Sequence, residues 1–318
     1  IFIGGGTPSL FSPEAIQSLL SRVLSRFEHQ ADIEITLEAN PGTVEAEKFS
    51  GFYQAGVSRL SIGVQSFASD KLIKLGRIHD GSQAGKAAEL ATRCGVSSFN
   101  LDLMHGLPQQ SIENALDDLA TAISLKPTHL SWYQLTIEPN TPFYSRPPKL
   151  PEDEVLWSIQ DQGIALLNEA GYKQYEISAF SREGYQCRHN LNYWQFGDYL
   201  GIGCGAHGKI TDIEHGEIYR TVKVKHPKGY LEQDRPHLDQ LKTVSREELP
   251  FEYMMNRLRL YSPFHLDEFQ ARTGLPAGTI TDLLEQAANK QLLANQGQQW
   301  QVTTTGHRYL NDLLSLFL

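Results

Sequence analysis

Cysteines, long apolar runs and excess positive charge are scarce or absent in this sequence of 318 residues, and each absence excludes a class of protein. Three cysteines, at positions 94, 187 and 204, are too few and too far apart for a disulfide framework, which predicts a reducing, cytoplasmic setting. No apolar run reaches the roughly eighteen residues of a membrane span, so we expect no transmembrane segment. A net charge of −9 disfavours nucleic acid as a partner, because that affinity comes from many Lys and Arg contacts with phosphate.

Short apolar runs alternate with helical patterns over about the first 135 residues. The runs lie at residues 1–3, 33–37, 60–64, 99–103 and 130–135. After the first run, Ser12 and Pro13 open a stripe of apolar residues at i, i+3 and i+4 spacing, which predicts a capped helix. The alternation predicts an α/β fold with a parallel sheet, either an open doubly wound sheet or a barrel.

Polar or glycine-rich clusters follow each of the five runs. The strand ends of a barrel converge on one site, whereas an open sheet concentrates ligand contacts at one crevice, so five polar strand ends favour a barrel. Glu38, Gln65, Arg77 and Asp102 belong to these clusters, and we expect them in one pocket. Carboxylates suit an ammonium group and ribose hydroxyls, and a guanidinium suits a carboxylate. An ion-pair network that only organises the barrel is the alternative.

The remaining residues predict further segments. Four prolines predict an extended stretch over 140–150, and a helix is predicted over 153–170 with Gly171 just beyond its end. We place a first domain at 1–171, a loop-rich extension at 172–244 and a small winged-helix-like domain at 245–318. The last domain has six Lys and Arg against eight Asp and Glu, a net charge of −2 that disfavours a role in reading DNA.

Two motifs carry chemistry of their own. Gly4-Gly5-Gly6-Thr7-Pro8 lies where a strand meets a helix, so its backbone N–H groups can approach a ligand closely, and a tight turn is the alternative. His189-Asn190-Leu191-Asn192-Tyr193-Trp194 is the densest cluster of histidine and aromatic residues. A histidine can ligate an iron porphyrin through Nε2 while aromatic rings stack on the macrocycle. A packed aromatic loop, with the histidine bonded to a backbone carbonyl, is the alternative.

Six blocks, taken in order along the chain, are more specific than any single motif. They are Gly-Gly-Gly-Thr-Pro-Ser at 4–9, Glu-Ala-Asn-Pro-Gly at 38–42, Ser-Ile-Gly-Val-Gln-Ser-Phe at 61–67, Leu-Gly-Arg-Ile-His at 75–79, Asn-Leu-Asp-Leu-Met-His-Gly-Leu-Pro at 100–108 and His-Asn-x-x-Tyr-Trp at 189–194. Together they resemble the coproporphyrinogen-III oxidase-like (HemN/HemW) branch of the radical S-adenosylmethionine (SAM) enzymes. The last block favours the haem chaperones of that branch over its oxidases.

The resemblance implies a partial TIM-like barrel with a C-terminal helical, winged-helix-like domain. It also implies SAM contacts and haem contacts at defined positions. The SAM contacts are Gly5, Gly6, Thr7, Glu38, Gln65, Arg77 and Asp102, and the haem contacts are His189, Tyr193 and Trp194. The branch holds a [4Fe–4S] cluster on a Cys-x3-Cys-x2-Cys loop, which is absent here, so we expect no metal site in this chain and a cluster only in the full-length protein. Because the chain begins at Ile1, inside an apolar run, we also expect an N-terminal truncation.

Two functions from different classes follow from the resemblance. In the first, the protein is a haem chaperone that binds haem, covalently or through His189, and delivers it to haem-accepting proteins. In the second, it is an oxygen-independent coproporphyrinogen-III oxidase, a radical SAM decarboxylase. The sequence shows no basic cluster that would clamp four propionates, which disfavours the oxidase. An unrelated TIM-barrel hydrolase is a third reading, which requires the block matches to be accidental, and a homodimer is left open.

Overall fold

Each of the five apolar runs forms or adjoins a strand in the computed structural model, which describes the backbone of residues 1–318 and every side chain except those of Thr43 and Val44. The chain divides into two units, Ile1–Gln186 and Cys187–Leu318. The predicted parallel strands and the helices between them all belong to the first unit.

The first unit contains seven strands and eight α-helices. In chain order they are β1 (Phe2–Ile3), α1 (Pro13–Leu24), β2 (Thr36–Ala39), α2 (Thr43–Ala46), α3 (Phe49–Gln54), β3 (Arg59–Gln65), α4 (Ser69–Lys74), α5 (Gly81–Arg93), β4 (Ser98–His105), α6 (Ile112–Ser124), β5 (His129–Gln134), α7 (Pro142–Ser145), α8 (Asp153–Glu169), β6 (Lys173–Glu176) and β7 (Ala179–Ser181).

These seven strands form one sheet in the order β1-β2-β3-β4-β5-β7-β6. The first five are parallel and each lies beside its predecessor, whereas β7 and β6 are antiparallel additions at one end. A doubly wound sheet reverses its strand order at a switch point, and this order does not reverse among the parallel strands. The arrangement is that of a partial barrel, which confirms the predicted fold class.

The two faces of this sheet differ in chemistry. Leucines at positions 37, 60, 101 and 130 face the helices and are fully buried. The opposite, inner face presents Ser61, Asn100, Asp102 and His129, which register as neighbours across three strands. Because side chains alternate along a strand, each polar residue of the inner face follows or precedes a core leucine.

Two helix ends in this unit follow the predicted capping chemistry. The Ser12 hydroxyl accepts the Ala15 N–H at 3.2 Å, with Pro13 in the first helical position of α1. Helix α8 ends at Glu169, and Gly171 follows with a positive φ of 83° that a glycine adopts without strain.

The second unit contains six strands and seven α-helices. In chain order they are α9 (Arg188–Trp194), β8 (His207–Asp212), β9 (Glu217–Lys223), α10 (Pro227–Leu231), β10 (Leu238–Thr243), α11 (Leu249–Arg257), β11 (Phe264–His265), α12 (Leu266–Thr273), α13 (Gly278–Asn289), β12 (Leu293–Gln296), β13 (Gln299–Val302), α14 (Thr304–Arg308) and α15 (Leu310–Ser315).

These strands form two separate antiparallel sheets. One is a meander in the order β10-β9-β8, and the other has the order β11-β13-β12. The second sheet, with helices α11 to α13 preceding its hairpin, has the element order predicted for a winged-helix-like unit.

Three expectations differ from the structure. Strands β6 and β7 pair with the barrel sheet, so the first unit extends to residue 186 rather than 171. The stretch 172–244, expected to be loop-rich, contains the three-stranded meander and joins the last helices in one unit. The stretch 140–150, expected to be extended, contains α7, because the Thr141 hydroxyl caps the N–H of Tyr144 and Pro142 fits the first helical position.

Candidate functional site

A cavity of about 210 Å³ lies at the carboxyl ends of the parallel strands, and we call it the mouth pocket. Its lining residues come from the loops and strand ends after β1, β2, β3 and β4: Gly6, Thr7, Pro8, Glu38, Ala39, Asn40, Ser61, Gly63, Gln65, Arg77 and Asp102. The four predicted residues Glu38, Gln65, Arg77 and Asp102 therefore lie around one cavity. Gly6 and Thr7 line it as well, whereas Gly5 does not.

The glycine run holds the Glu38 carboxylate in place. The Gly5 N–H donates to Glu38 Oε2 at 3.0 Å, and a Cβ at Gly4 would lie only 2.9 Å from the Glu38 carboxyl carbon. Gly5 and Gly6 both have positive φ values, of 78° and 50°. The run is thus a tight turn, which is the alternative interpretation given for it above. The same turn also fixes the Glu38 carboxylate at the pocket.

Gln65 reaches the pocket through an irregular strand end. The register of β3 against β4 shifts between Ile62 and Gln65, and Gln65 has a φ of 69°, which is rare for a residue with a side chain. The buried Asp118 of α6 holds the residues that follow, since its carboxylate accepts the Ser66 hydroxyl at 2.6 Å and the Phe67 N–H at 2.7 Å. These bonds stabilise the conformation that aims Gln65 at the cavity.

Arg77 comes from the loop after α4 and is the cationic member of the lining. The Arg77 N–H donates to the Leu72 carbonyl at 2.9 Å, and Gly76 before it has a φ of 69°. Two residues further on, the ring of the buried His79 donates from Nε2 to the Val64 carbonyl at 3.0 Å. The loop that carries Arg77 is therefore tied to the end of β3.

Asp102 lies on the inner face of β4 at the base of the pocket. Its Oδ1 accepts the Asn100 amide at 2.8 Å, and its Oδ2 accepts the Ser61 hydroxyl at 3.2 Å. Burial raises the pKa of Asp102 above its usual value, and the Asn100 hydrogen bond opposes that rise. Burial also raises the pKa of Glu38, opposed by the Gly5 N–H and assisted by the Asp102 charge.

Sequence reasoning missed the polar lining residues Asn40 and Ser61. It also missed Tyr133, which contacts the lining residue Gln65. Its hydroxyl donates to Gln65 Oε1 at 2.7 Å, so the Gln65 carboxamide turns its Nε2 toward Gly63, a lining residue. Burial raises the pKa of Tyr133 to about 12, with the Asp102 charge contributing, which keeps the phenol a donor at neutral pH. Its place inside β5 gave no sequence signal, because tyrosine, with its large apolar ring, is common in buried strands.

The His189–Trp194 block forms helix α9, not the loop of its alternative interpretation. His189 and Tyr193 are one helical turn apart and are half-buried, and Trp194 lies about 100° further round the helix. The Tyr193 ring packs at 5.0 Å from Trp194 and at 5.3 Å from Tyr199. The structure therefore brings the three predicted residues together on one short helix.

Two features of the tryptophan bear on ligand chemistry. The Trp194 Nε1 is buried and has no hydrogen-bond partner among the described side chains. The Arg259 guanidinium lies 5.2 Å from the centre of the Trp194 ring. An orphaned donor and a nearby cation both suit an anionic group.

The three cysteines do not form a metal site. Cys94 and Cys187 are buried and Cys204 is exposed. The described side chains include no group of three His, Cys, Asp or Glu residues placed to hold a metal ion. The residues of this chain therefore do not fit a [4Fe–4S] cluster, whose irons are held by Cys thiolates. In the described part of the chain no helix is long and apolar enough to cross a bilayer.

Comparison with known proteins identifies both units. Residues 1–119 match the radical SAM superfamily, and residues 244–309 match the HemN C-terminal domain. The chain is also similar over its whole length to a solved structure, the radical SAM enzyme coproporphyrinogen III oxidase (HemN) from Escherichia coli. That similarity has a TM-score of 0.82 and 22% identity, covering 99% of this chain and 76% of HemN, and it shows the fold alone.

Three curated relatives share much more sequence. The heme chaperone HemW of Haemophilus influenzae is 55% identical to this chain, across all of the chain and 82% of the relative's length. The heme chaperone HemW of Escherichia coli is 56% identical, across all of the chain and 83% of the relative's length. The heme chaperone HemW of Bacillus subtilis is 34% identical, again across all of this chain and 85% of its own length. These matches exclude an unrelated TIM-barrel hydrolase. The chain belongs to the HemW family of the radical SAM superfamily.

Proposed function

We propose that this protein is a haem carrier on a radical SAM scaffold, which binds haem and delivers it to haem-requiring proteins. The observation that carries the proposal is full-length identity above 50% to two relatives named heme chaperones. Coproporphyrinogen oxidation has weaker support, because the likeness to HemN is confined to the fold.

We place haem at α9. The His189 imidazole is the axial ligand in this proposal, with Tyr193 and Trp194 as apolar walls against the macrocycle. The orphaned Trp194 Nε1–H and the Arg259 guanidinium are suited to a haem propionate, since both favour an anionic acceptor. The half-buried histidine and the two aromatic rings of one short helix, with Arg259 beside Trp194, support this cargo.

The mouth pocket is proposed to hold SAM, one of the cofactors that the family implies. Glu38 and Asp102 would accept ribose hydroxyls, Arg77 would pair with the carboxylate, and Gly6, Thr7 and Gln65 would contact the remaining polar atoms. Gly5 would act through the Glu38 carboxylate that it holds. SAM, when bound, is a source of radical chemistry. A Cβ at Gly63 would lie 3.1 Å from Gln65 Nε2 and take up part of this cavity, so the glycine keeps room for a ligand.

The cluster is the second cofactor that the family implies. We propose that it is held by cysteines outside these 318 residues, because Cys94, Cys187 and Cys204 lack cluster spacing and differ in burial. The small number of cysteines and their wide spacing along the chain support a reducing, cytoplasmic setting. Haem-accepting proteins are the proposed partners, and a homodimer is a proposal that sedimentation equilibrium would test.

Haem titration of the His189→Ala variant tests the function. We expect at least a tenfold loss of haem affinity, measured by the change in Soret absorbance on titration. The far-UV circular dichroism spectrum should stay unchanged. The matched control is His215→Ala, which removes another histidine of the same unit from an exposed turn. The His215→Ala protein should bind haem as tightly as the unsubstituted protein does.

The outcomes separate the two functions. Unchanged haem binding by folded His189→Ala protein would remove the ligand role and make α9 a packed aromatic helix only. Coproporphyrinogen decarboxylation by the protein with its cluster restored would replace the carrier function with that of an oxidase.

A further inference from the structure

A row of buried polar side chains lies on the inner face of the barrel sheet, beneath the mouth pocket. Asn100 of β4 registers with Ser61 of β3 and with His129 of β5. Asn100 is 1% exposed and His129 is fully buried. Buried polar groups destabilise the fold unless they are hydrogen-bonded. The hydrogen bonds within this row therefore determine the free-energy cost of burying it.

The direction of each hydrogen bond follows from the Asp102 carboxylate. An ionised carboxylate only accepts, so the group 2.8 Å from Oδ1 must be the Asn100 Nδ2 amide, which donates. The Asn100 Oδ1 carbonyl then faces the opposite way and accepts the Ser131 hydroxyl at 3.1 Å. The orientation of the Asn100 carboxamide is thereby fixed from both ends.

The same logic fixes the tautomer of His129. Its Nδ1 lies 2.7 Å from Asn100 Oδ1, an atom that only accepts, so Nδ1 carries the proton. Its Nε2 is then the acceptor for the Tyr175 hydroxyl, at 2.8 Å, from strand β6. Burial lowers the pKa of His129 well below its usual value, which keeps the ring neutral and preserves one donor and one acceptor.

We propose that Tyr175, His129 and Asn100 form a one-way hydrogen-bond relay that positions the Asp102 carboxylate for its ligand in the mouth pocket. The relay runs from the Tyr175 hydroxyl through His129 and Asn100 to Asp102. These three are positioning residues, because each acts through the next. The inference rests on the proposed binding of SAM at Asp102.

The physical benefit of the relay is preorganisation. A carboxylate that accepts two fixed donors has its oxygens oriented before the ligand arrives, so binding loses less side-chain freedom. The Asn100 donor also favours the ionised form against the burial that opposes it. If His129 changed tautomer, Asn100 would turn its carbonyl toward Asp102, and two acceptors would face each other.

Two substitutions at His129 distinguish a relay from simple packing. His129→Leu fills most of the ring volume but removes both nitrogens, whereas His129→Asn leaves a smaller side chain that can place an amide N–H near the Nδ1 position. A relay predicts at least a tenfold loss of affinity for S-adenosylhomocysteine in His129→Leu and a loss within about threefold in His129→Asn. Packing predicts the reverse order, because the asparagine leaves a cavity.

Isothermal titration calorimetry of the whole chain with S-adenosylhomocysteine gives these affinities, and thermal melts give the stability of each variant. Nitrogen-15 spectra give an independent readout. The His129 ring signals are those lost in His129→Asn. They should show a protonated Nδ1 and an unprotonated Nε2. Tyr175→Phe should leave Nδ1 protonated, because Asn100 Oδ1 still accepts from it, and should move the Nε2 signal, because that nitrogen loses the hydroxyl that donates to it.

Asp102→Asn separates failure of the relay from failure of the ligand site. If Asp102→Asn loses affinity while folded His129→Leu keeps it, the relay is overturned and the site stands. If Asp102→Asn binds as the parent does, the proposed ligand contact is overturned, and the relay with it. A bare Nδ1 on His129 in the parent protein would also contradict the relay.

Discussion

The mouth pocket and the α9 segment bring their side chains together by different means. In the pocket, residues far apart in sequence meet because parallel strands end at one edge of a sheet. In α9, neighbours in sequence meet because they share a short helix. The first arrangement depends on the whole sheet, whereas the second depends on whatever holds one helix in place.

That difference sets how each region should respond to substitution. The pocket has several independent ties, among them Asp118 to the Gln65 turn and Gly5 to Glu38. Helix α9 lies between two buried residues, Cys187 and Phe196. Phe196 has a φ of 58° and packs 5.7 Å from the Tyr253 ring and 4.3 Å from the Lys209 ammonium. We therefore expect α9 to be the more easily displaced of the two regions.

The largest expected effect is that of Phe196→Ala. Removing a fully buried phenylalanine should cost about 3–5 kcal/mol of unfolding free energy, and displaced α9 should lose haem affinity. Calorimetric melts with a Soret titration would measure both. Leu200→Ala, at a side chain 60% exposed, is the matched control and should change neither. Equal stability of the two variants would show that Phe196 does not anchor α9.

Lowering the pH should weaken ligand binding in the mouth pocket, and it should do so at a higher pH than carboxylates with ordinary pKa values would require. Glu38 and Asp102 have raised pKa values, so they protonate at a pH above the usual range, and a protonated carboxyl is a poorer acceptor for ribose hydroxyls. S-adenosylhomocysteine affinity should therefore fall, by about tenfold, as the pH is lowered through the raised pKa values. Calorimetry at several pH values measures it. Glu38→Gln should remove the Glu38 part of this pH dependence and leave the part due to Asp102. A flat profile in the unsubstituted protein would contradict the expectation.

A smaller effect is expected for Gly4→Ala. The new Cβ would lie within about 3 Å of the Glu38 carboxylate, which must then shift away from the Gly5 N–H. We expect a three- to tenfold loss of S-adenosylhomocysteine affinity, about 1 kcal/mol, with haem affinity unchanged. Gly278→Ala, where a Cβ meets no neighbouring atom, is the control. Wild-type affinity in Gly4→Ala would mean that the glycine run does not position Glu38.

No effect at all is expected with duplex DNA, although the second unit ends in a winged-helix-like fold. Residues 245–318 carry a net charge of −2, and nucleic-acid affinity requires a positive surface. Fluorescence anisotropy of labelled duplex with the whole chain, at low and high salt, would measure this. Salt-sensitive binding below micromolar concentrations would contradict the charge argument.

The sequence predicted the barrel and its pocket well for a physical reason. Alternation of apolar runs and helices defines parallel strands, and polar residues after those runs must then share one edge. What it could not predict was Tyr133 and the relay through His129, because their roles depend on the register of β5 beside β4. Pairing across strands leaves no trace in the spacing along one strand.

Local helices were harder to predict. The α9 segment contains asparagines and aromatic residues, which have modest helix propensity, so its composition does not indicate the helix that forms there. Four prolines in and beside residues 140–150 predict an extended chain, yet Thr141 caps the first turn of α7 and Pro142 occupies the helical position that tolerates proline. Capping chemistry outweighed average composition at the N-terminal end of that short helix.

The central claim is that haem binds at α9 and the adenosyl cofactor at the mouth pocket, as two separate sites. Titrating His189→Ala and Glu38→Gln each with haem and with S-adenosylhomocysteine tests it most directly. We predict that His189→Ala loses haem and keeps S-adenosylhomocysteine, and that Glu38→Gln does the opposite, with both variants folded by circular dichroism. Loss of both ligands by either folded variant, or retention of haem by His189→Ala, would contradict the account.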